Sequence, residues 1–338
     1  MHMNTSLSVV VVGATGTVGE AIVTLLEERN FPLANLYIAA SADSVGQSIA
    51  FRGRNLRITA ADDFDFGKAQ LAFMVTDASV AGSLAEKAFK SGCSVIDLTG
   101  SLDSSRAPRV MPDVNAELIA KQERPCLLSV PSAPAAALIS ALAPICYQSA
   151  IEQATVTACL AASSRGKAGI RELARQTTEL LNARPLEPRV FGKQLAFNVL
   201  AQTDEPRADG YTALEHRVME ECTEVLGNNL GLLAVSCIQV PVFFGDSLSV
   251  TVKTRDVLAI KDLNLAYSKH ETVELFESEE YPTAVEDAIG RDEILIGRVR
   301  HNPSDPHLIE MWIVSDNVRK AAALNAVQTA ELLIKHYL

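Results

Sequence analysis

Residues 9–20 read VVVVGATGTVGE. A β-branched run meets Gly13, Gly16 and Gly19, and a helical pattern, AIVTLLEE, follows over 21–28. Glycines let backbone N–H groups approach a phosphate, and the following helix turns its positive end toward the anion. Such a turn binds the pyrophosphate of a dinucleotide, with Gly13, Thr15, Gly16, Thr17, Val18 and Gly19 as candidate contacts. The spacing Gly-x-x-Gly-x-x-Gly departs from the commoner G-x-G-x-x-G. It gains weight here because a strand precedes it and a helix follows.

The stretch after the second strand reads AASADSVGQ (39–47). An acidic residue there bonds ribose hydroxyls, whereas Arg and Ser accept a 2′-phosphate. Asp43 would repel a 2′-phosphate at close range, and otherwise reads as a solvated loop residue. Six cysteines, at 93, 126, 146, 159, 222 and 237, form no CxxC and have no His at metal-ligand spacing. They read as buried, reduced thiols, and no metal site is expected.

The elements that must position these residues follow from periodicity. Short apolar runs at 7–12, 36–40, 71–75, 94–98 and 126–130 alternate with helical patterns at 17–30, 79–91 and 113–121. That alternation predicts a parallel, doubly wound sheet. Beyond residue 150 strand-like segments follow one another, at 150–162, 233–243, 246–256, 292–300 and 307–315, with helices at 167–183 and 211–226. An antiparallel sheet covered by helices is expected. Residues 316–338 repeat apolar side chains at helical spacing and predict one amphipathic helix.

With 338 residues and 48% apolar content, the chain is long enough for two packed domains. A net charge of −11 argues against a nucleic-acid partner. MHMNTSLS has no basic region ahead of an apolar run, so no signal peptide is expected. Residues 125–151 carry no charged side chain, but Pro131, Pro134 and Pro144 punctuate them, and a strand followed by a buried helix fits better than a membrane span.

Seven segments spread along the chain resemble the bacterial aspartate-semialdehyde dehydrogenase family: VVGATGTVGE (11–20), LEERNFP (26–32), LAFNV (195–199), PVFFGDSLSV (241–250), YPT (281–283), GRVR (297–300) and DNVRKAAALNAVQTAELL (316–333). The resemblance implies an α/β chain. A Rossmann-type dinucleotide-binding domain would comprise 1–132 and 316–338, and an α+β substrate and dimerisation domain 133–315. It implies a cytoplasmic homodimer in amino-acid biosynthesis that binds NADP, with Ser41 and Asn317 added to the cofactor contacts. The family reaction is reversible reductive dephosphorylation of β-aspartyl phosphate. A Cys thiolate forms a thioester, a His handles the proton, a Gln orients the acyl group, and cationic side chains hold carboxylate and phosphate.

The family positions carry different residues here. The nucleophile's place in LLSVPSAPAAAL is Ala133, and the Gln position in CLAASSRGK is Leu160. The carboxylate-binding Arg is Gln239, and the His after FFG is Asp246. The phosphate Arg is Asp103, and only the Lys position keeps a positive charge, as Arg217. A Gly-Gly beside the nicotinamide is Asp77-Ala78. Cys126 lies up to about 23 Å upstream along an extended strand, and Ser132 has no evident base. Arg165, Lys167 and Arg217 are expected to pair with Asp103 and Asp246. These losses predict a pseudoenzyme acting by binding or dimerisation, as a homodimer or a mixed dimer with an active paralogue. NADP or NAD binding stays open. The alternative is an NAD(P)-dependent oxidoreductase with semialdehyde dehydrogenase or related activity.

Overall fold

The computed structural model describes residues 7–277 and 279–337; residues 1–6, on which most of the signal-peptide reading of MHMNTSLS falls, and Leu338 lie outside the described residues. The chain divides into two compact units, Met1–Ser132 with Ala322–Leu338, and Ala133–Ala321. The first holds β1 (Leu7–Val12), α1 (Thr17–Glu28), β2 (Leu33–Ala40), β3 (Ser48–Phe51), β4 (Arg54–Ala60), β5 (Leu71–Met74), α2 (Ala78–Lys90), β6 (Ser94–Asp97) and β7 (Leu127–Ser129). Their sheet order is β3-β4-β2-β1-β5-β6-β7. All pairs are parallel except the β3–β4 hairpin.

The valine run of β1 explains its central place. Val9 and Val11 pack in one cluster with Ile22, Leu25 and Leu26, while Val10 and Val12 pack in another with Leu84, Ala85 and Ala88. Strand alternation thus sends successive valines into two different cores. Full burial of each contributes about 1.5–3 kcal/mol. The β3–β4 hairpin was not expected from sequence. Its turn residues Arg52 and Gly53 both have positive φ, as tight hairpin turns require, but Arg-Gly is not the usual signal for one. The helix expected over 113–121 is only a 3₁₀ turn, Ala116–Lys121.

The second unit holds α3 (Ala133–Cys146), β8 (Ile151–Leu160), α4 (Gly166–Leu181), α5 (Ala213–Leu226), β9 (Leu230–Gln239), β10 (Asp246–Thr254), α6 (Ile260–Ser268), β11 (Val273–Leu275), β12 (Ile294–Asn302) and β13 (Asp305–Ser315). The sheet order is β11-β12-β13-β10-β8-β9. It is mixed rather than antiparallel: β8–β9 and β11–β12 are parallel. The reason lies in the connections. Two helices separate β8 from β9, and a long crossover returns a strand in the same direction, which a short turn cannot do. Leu248, Val250 and Val252 of β10 are buried, while Ser249 and Thr251 face away from them.

The uncharged stretch at 125–151 resolves into β7 and α3, and α3 is buried along all its length beyond Ala133. A helix apolar on every side needs protein around it. No helix among the described residues is long and apolar enough to cross a membrane.

The expected single helix over 316–338 is interrupted. A π-helical turn, Arg319–Leu324, precedes α7 (Asn325–Tyr337). Ala321 N donates to Asp316 O across five residues, 3.0 Å. The side chain of Asp316 accepts from Val318 N and Arg319 N, which sets this wider turn. Residues 316–321, including Asn317, therefore belong to the second unit rather than to the dinucleotide-binding one. From Ala323 onward the segment packs with Val9, Ile22 and Leu26 in the first unit.

Candidate functional site

The glycine loop joins β1 to α1. Gly13 has φ +93°, and a Cβ there would lie 2.5 Å from Val75 O. A Cβ on Gly19 would lie 2.3 Å from Gly13 O and 2.6 Å from Ala14 Cα. Both positions therefore require glycine for backbone packing alone. Gly16 precedes α1 and supplies no side-chain cap, so the first-turn amides of Thr17, Val18 and Gly19 carry no side-chain cap. Uncapped amides at a helix start suit an anionic ligand.

The turn after β2 reaches this loop. Gly13 N donates to Ala39 O, 2.8 Å, and Thr15 Oγ1 lies 3.4 Å from Ser44 Oγ. Ser41 leads into a 3₁₀ turn, Ala42–Ser44, and Asp43 is exposed within it. By contrast, the start of α2 is closed by its own carboxylate. Asp77 Oδ1 accepts from Ser79 N, 2.9 Å, and these bonds from Ser79 hold the Asp77 carboxyl below its ordinary value.

The second unit brings Leu160, Gln239 and Asp246 together at one end of its sheet. Leu160 and Gln239 face each other in the parallel β8–β9 register. Gln239 is 1% exposed, and its Nε2 donates to Leu160 O at 2.7 Å. Its Oε1 lies 3.4 Å from Ser164 Oγ. Asp246 is also 1% exposed and accepts on Oδ1 from Ala161 N, 2.9 Å. Burial pushes its carboxyl up to about 7; the Ala161 amide opposes this and Asp316 adds to it. Ala133 opens α3 and is half-buried.

Backbone bonds close the same region. Ala162 N donates to Val242 O and Ser163 N to Phe243 O, at 2.7 and 3.0 Å. The carboxamide of Asn317 is engaged here as well: its Oδ1 accepts from Gly245 N, 3.0 Å, and Ser163 Oγ lies 3.1 Å from the same oxygen. Asn317 thus helps to tie the ends of β8 and β10 together within the second unit.

The expected ion pairs form differently. Arg165 pairs with Asp204 at 2.5 Å and bonds Thr203 O; Arg217 Nε donates to the buried Glu221 at 2.7 Å. Asp103 is satisfied within its own turn by Ser105 N and Oγ, at 2.9 and 2.5 Å. Arg217 and Asp103 are satisfied by partners within four residues, whereas Arg165 takes a partner 39 residues away. Sequence reasoning missed Ser163, Ser164 and Asp316. Their only signal is position, in the Ser pair after the strand and the Asp before Asn317.

The cysteines are shielded from solvent and not activated. Five are buried and Cys159 is intermediate. Burial pushes Cys93 and Cys237 up to about 12 and Cys146 to about 11. It also raises Cys126 and Cys159, the latter with help from Asp246. A raised thiol is a poor source of thiolate. Among the described residues, no three His, Cys, Asp or Glu side chains group to hold a metal.

Two family models match the chain. One is described as semialdehyde dehydrogenase, NAD binding domain, over residues 8–122, and the other as semialdehyde dehydrogenase, dimerisation domain, over 142–320. A USG-1 protein homolog from Pseudomonas aeruginosa is 52% identical, covering 99% of this chain and 100% of its own length. An aspartate-semialdehyde dehydrogenase from Shewanella sp. is 40% identical over 99% and 100%. A solved structure, a probable aspartate-semialdehyde dehydrogenase from Pseudomonas aeruginosa, superposes with a TM-score of 0.96 at 52% identity, covering 98% of this chain and 100% of that one.

Proposed function

The chain belongs to the aspartate-semialdehyde dehydrogenase family, and from that premise we propose that it has lost the thioester chemistry and acts by binding. The carrying observation is the strand-end cluster of the second unit. Gln239 and Asp246, at the positions where the family resemblance implies an Arg and a His, spend polar atoms on Leu160 O and Ala161 N. Ala133 offers no nucleophile, and no cysteine thiol is primed to replace it. Replacing an Arg and a His by Gln and Asp also removes positive charge from a buried place. That disfavours a small, multiply charged anion.

The proposed role keeps two binding surfaces. The glycine loop, with Gly13 and Gly19 held by close packing and α1 uncapped, takes an adenine dinucleotide, NADP or NAD. The outward face of the second sheet, with Thr155, Thr157, Ser236, Ile238, Ser249 and Thr251 side by side, joins a second copy. A mixed dimer with an active paralogue would use the same face. Paired cations on it, Thr157→Lys with Ser249→Lys, are expected to give monomers in sedimentation.

The direct test is turnover. Purified protein is supplied with aspartate semialdehyde, phosphate and, in separate runs, NADP and NAD, and reduced cofactor is followed. No turnover is expected. Steady turnover by the unaltered chain would overturn the proposal.

A further inference from the structure

We propose, resting on the reading that the glycine loop still takes an adenine dinucleotide, that Asp43 makes this site select a ribose with a free 2′-hydroxyl and reject a 2′-phosphate.

The geometry starts from β1 and β2, which run parallel with Val12 beside Ala39. Both strands end at the glycine loop: Gly13 N bonds Ala39 O, and Thr15 Oγ1 meets Ser44 Oγ at 3.4 Å. The contact sets the Ala42–Ser44 turn against the phosphate-binding loop. Asp43, one residue from the contact, is exposed and carries the only charge between Ser41 and Gln47. The end of the second strand is where a dinucleotide ribose meets the protein in this architecture. A carboxylate there accepts from ribose hydroxyls and opposes phosphate.

No cation lies within the turn itself; Arg57, exposed on β4, stands opposite Ser48 and next to the Ile58 N–Gln47 O bond, outside the Ala42–Ser44 turn. The next basic residues, Arg52 and Arg54, sit by the turn of the β3–β4 hairpin. Arg52 Nη2 donates to Phe31 O, just before β2 begins, at the strand end away from the Asp43 turn. Its guanidinium also lies over the Phe51 ring, 5.1 Å from the centroid. A 2′-phosphate would bring close to two negative charges toward Asp43 with no Arg or Lys of this turn to meet them.

NAD and NADP differ only in that phosphate, so the ratio of their dissociation constants reads the effect directly. Calorimetry on the full chain at low salt is expected to show NADP binding about tenfold more weakly than NAD. The gap should shrink as salt rises to about 0.5 M, where the screening length falls below the separation of most exposed charges. In Asp43→Asn, an exposed substitution that leaves the packing intact, the ratio should fall to within about threefold. NADP binding as tightly as NAD would overturn the selectivity while leaving the binding site standing. A gap unchanged by Asp43→Asn would overturn the role of this residue. Binding of neither nucleotide at millimolar concentration would overturn the nucleotide site itself, and the selectivity with it.

Discussion

Gln239 Nε2 donates to the backbone carbonyl of Leu160, 2.7 Å away, between two residues that face each other at the ends of β8 and β9. The bond makes the Gln239 side chain part of the sheet's own hydrogen bonding. Gln239→Arg is expected to destabilise the protein by about 3 kcal/mol, because a charged guanidinium would be buried where a neutral carboxamide now sits. Gln239→Ala should cost about 1–2 kcal/mol. Urea unfolding compares the two; an Arg variant as stable as the parent would contradict this account.

Ala133→Cys alone is expected to restore no turnover of aspartate semialdehyde. A thiol alone does not supply the orienting and charge-handling groups that the thioester reaction needs, and the positions where the family resemblance implies them carry Leu160, Gln239 and Asp246. The check is cofactor reduction at high enzyme concentration, beside the variant that also carries Leu160→Gln, Gln239→Arg and Asp246→His. Activity in the single variant would show that the rest of the machinery survives in another form.

Asp246 predicts a pH dependence of stability. Its folded carboxyl titrates near 7, raised by burial, whereas an unfolded Asp titrates at about 3.9. Between these values the folded protein holds a proton that the unfolded chain has released. Stability contributed by this site is therefore greatest below the unfolded value and declines as pH rises toward 7. The slope approaches about 1.4 kcal/mol per pH unit and levels off above pH 7. Asp246→Asn keeps an oxygen for Ala161 N and removes the titration. It should be a few kcal/mol more stable than the parent at pH 8 and nearly equal at pH 4. A difference that does not change with pH in denaturant titrations would rule this out.

Gly19→Ala should destabilise the first unit by about 3 kcal/mol or more, because the added Cβ would lie 2.3 Å from Gly13 O, a backbone atom that cannot turn aside. Nucleotide affinity should fall with it as the loop shifts. Thermal unfolding and calorimetry test both effects. Ordinary stability in this variant would mean that the loop has more room than its packing indicates.

Local pattern carried much of the fold. The valine run of β1, the glycine loop and the amphipathic start of α1 are visible in sequence because each depends on neighbours a few residues away. The two-sided burial of Val9 to Val12 leaves a continuous apolar run, which is how a central parallel strand reads. The hairpin at Arg52-Gly53 and the π-helical turn at Arg319–Leu324 were not legible. The first lacks the usual turn residues, and the second depends on how Asp316 caps the chain after β13.

The sequence by itself determined the residue types at the positions where the family resemblance implies a thiol, an amide, a guanidinium and an imidazole: Ala133, Leu160, Gln239 and Asp246. It could not determine what the replacements do instead. Pairing of Leu160 with Gln239 joins residues 79 positions apart, and that of Ala161 with Asp246 spans 85. Only the sheet register brings them together. The Arg165–Asp204 pair, between residues 39 apart, is likewise a product of the folded chain, whereas Arg217 and Glu221 meet one turn apart on α5. Residue type fixes which charges exist, but the partner of each is settled by distance and desolvation in the folded chain, and these are properties of the tertiary structure.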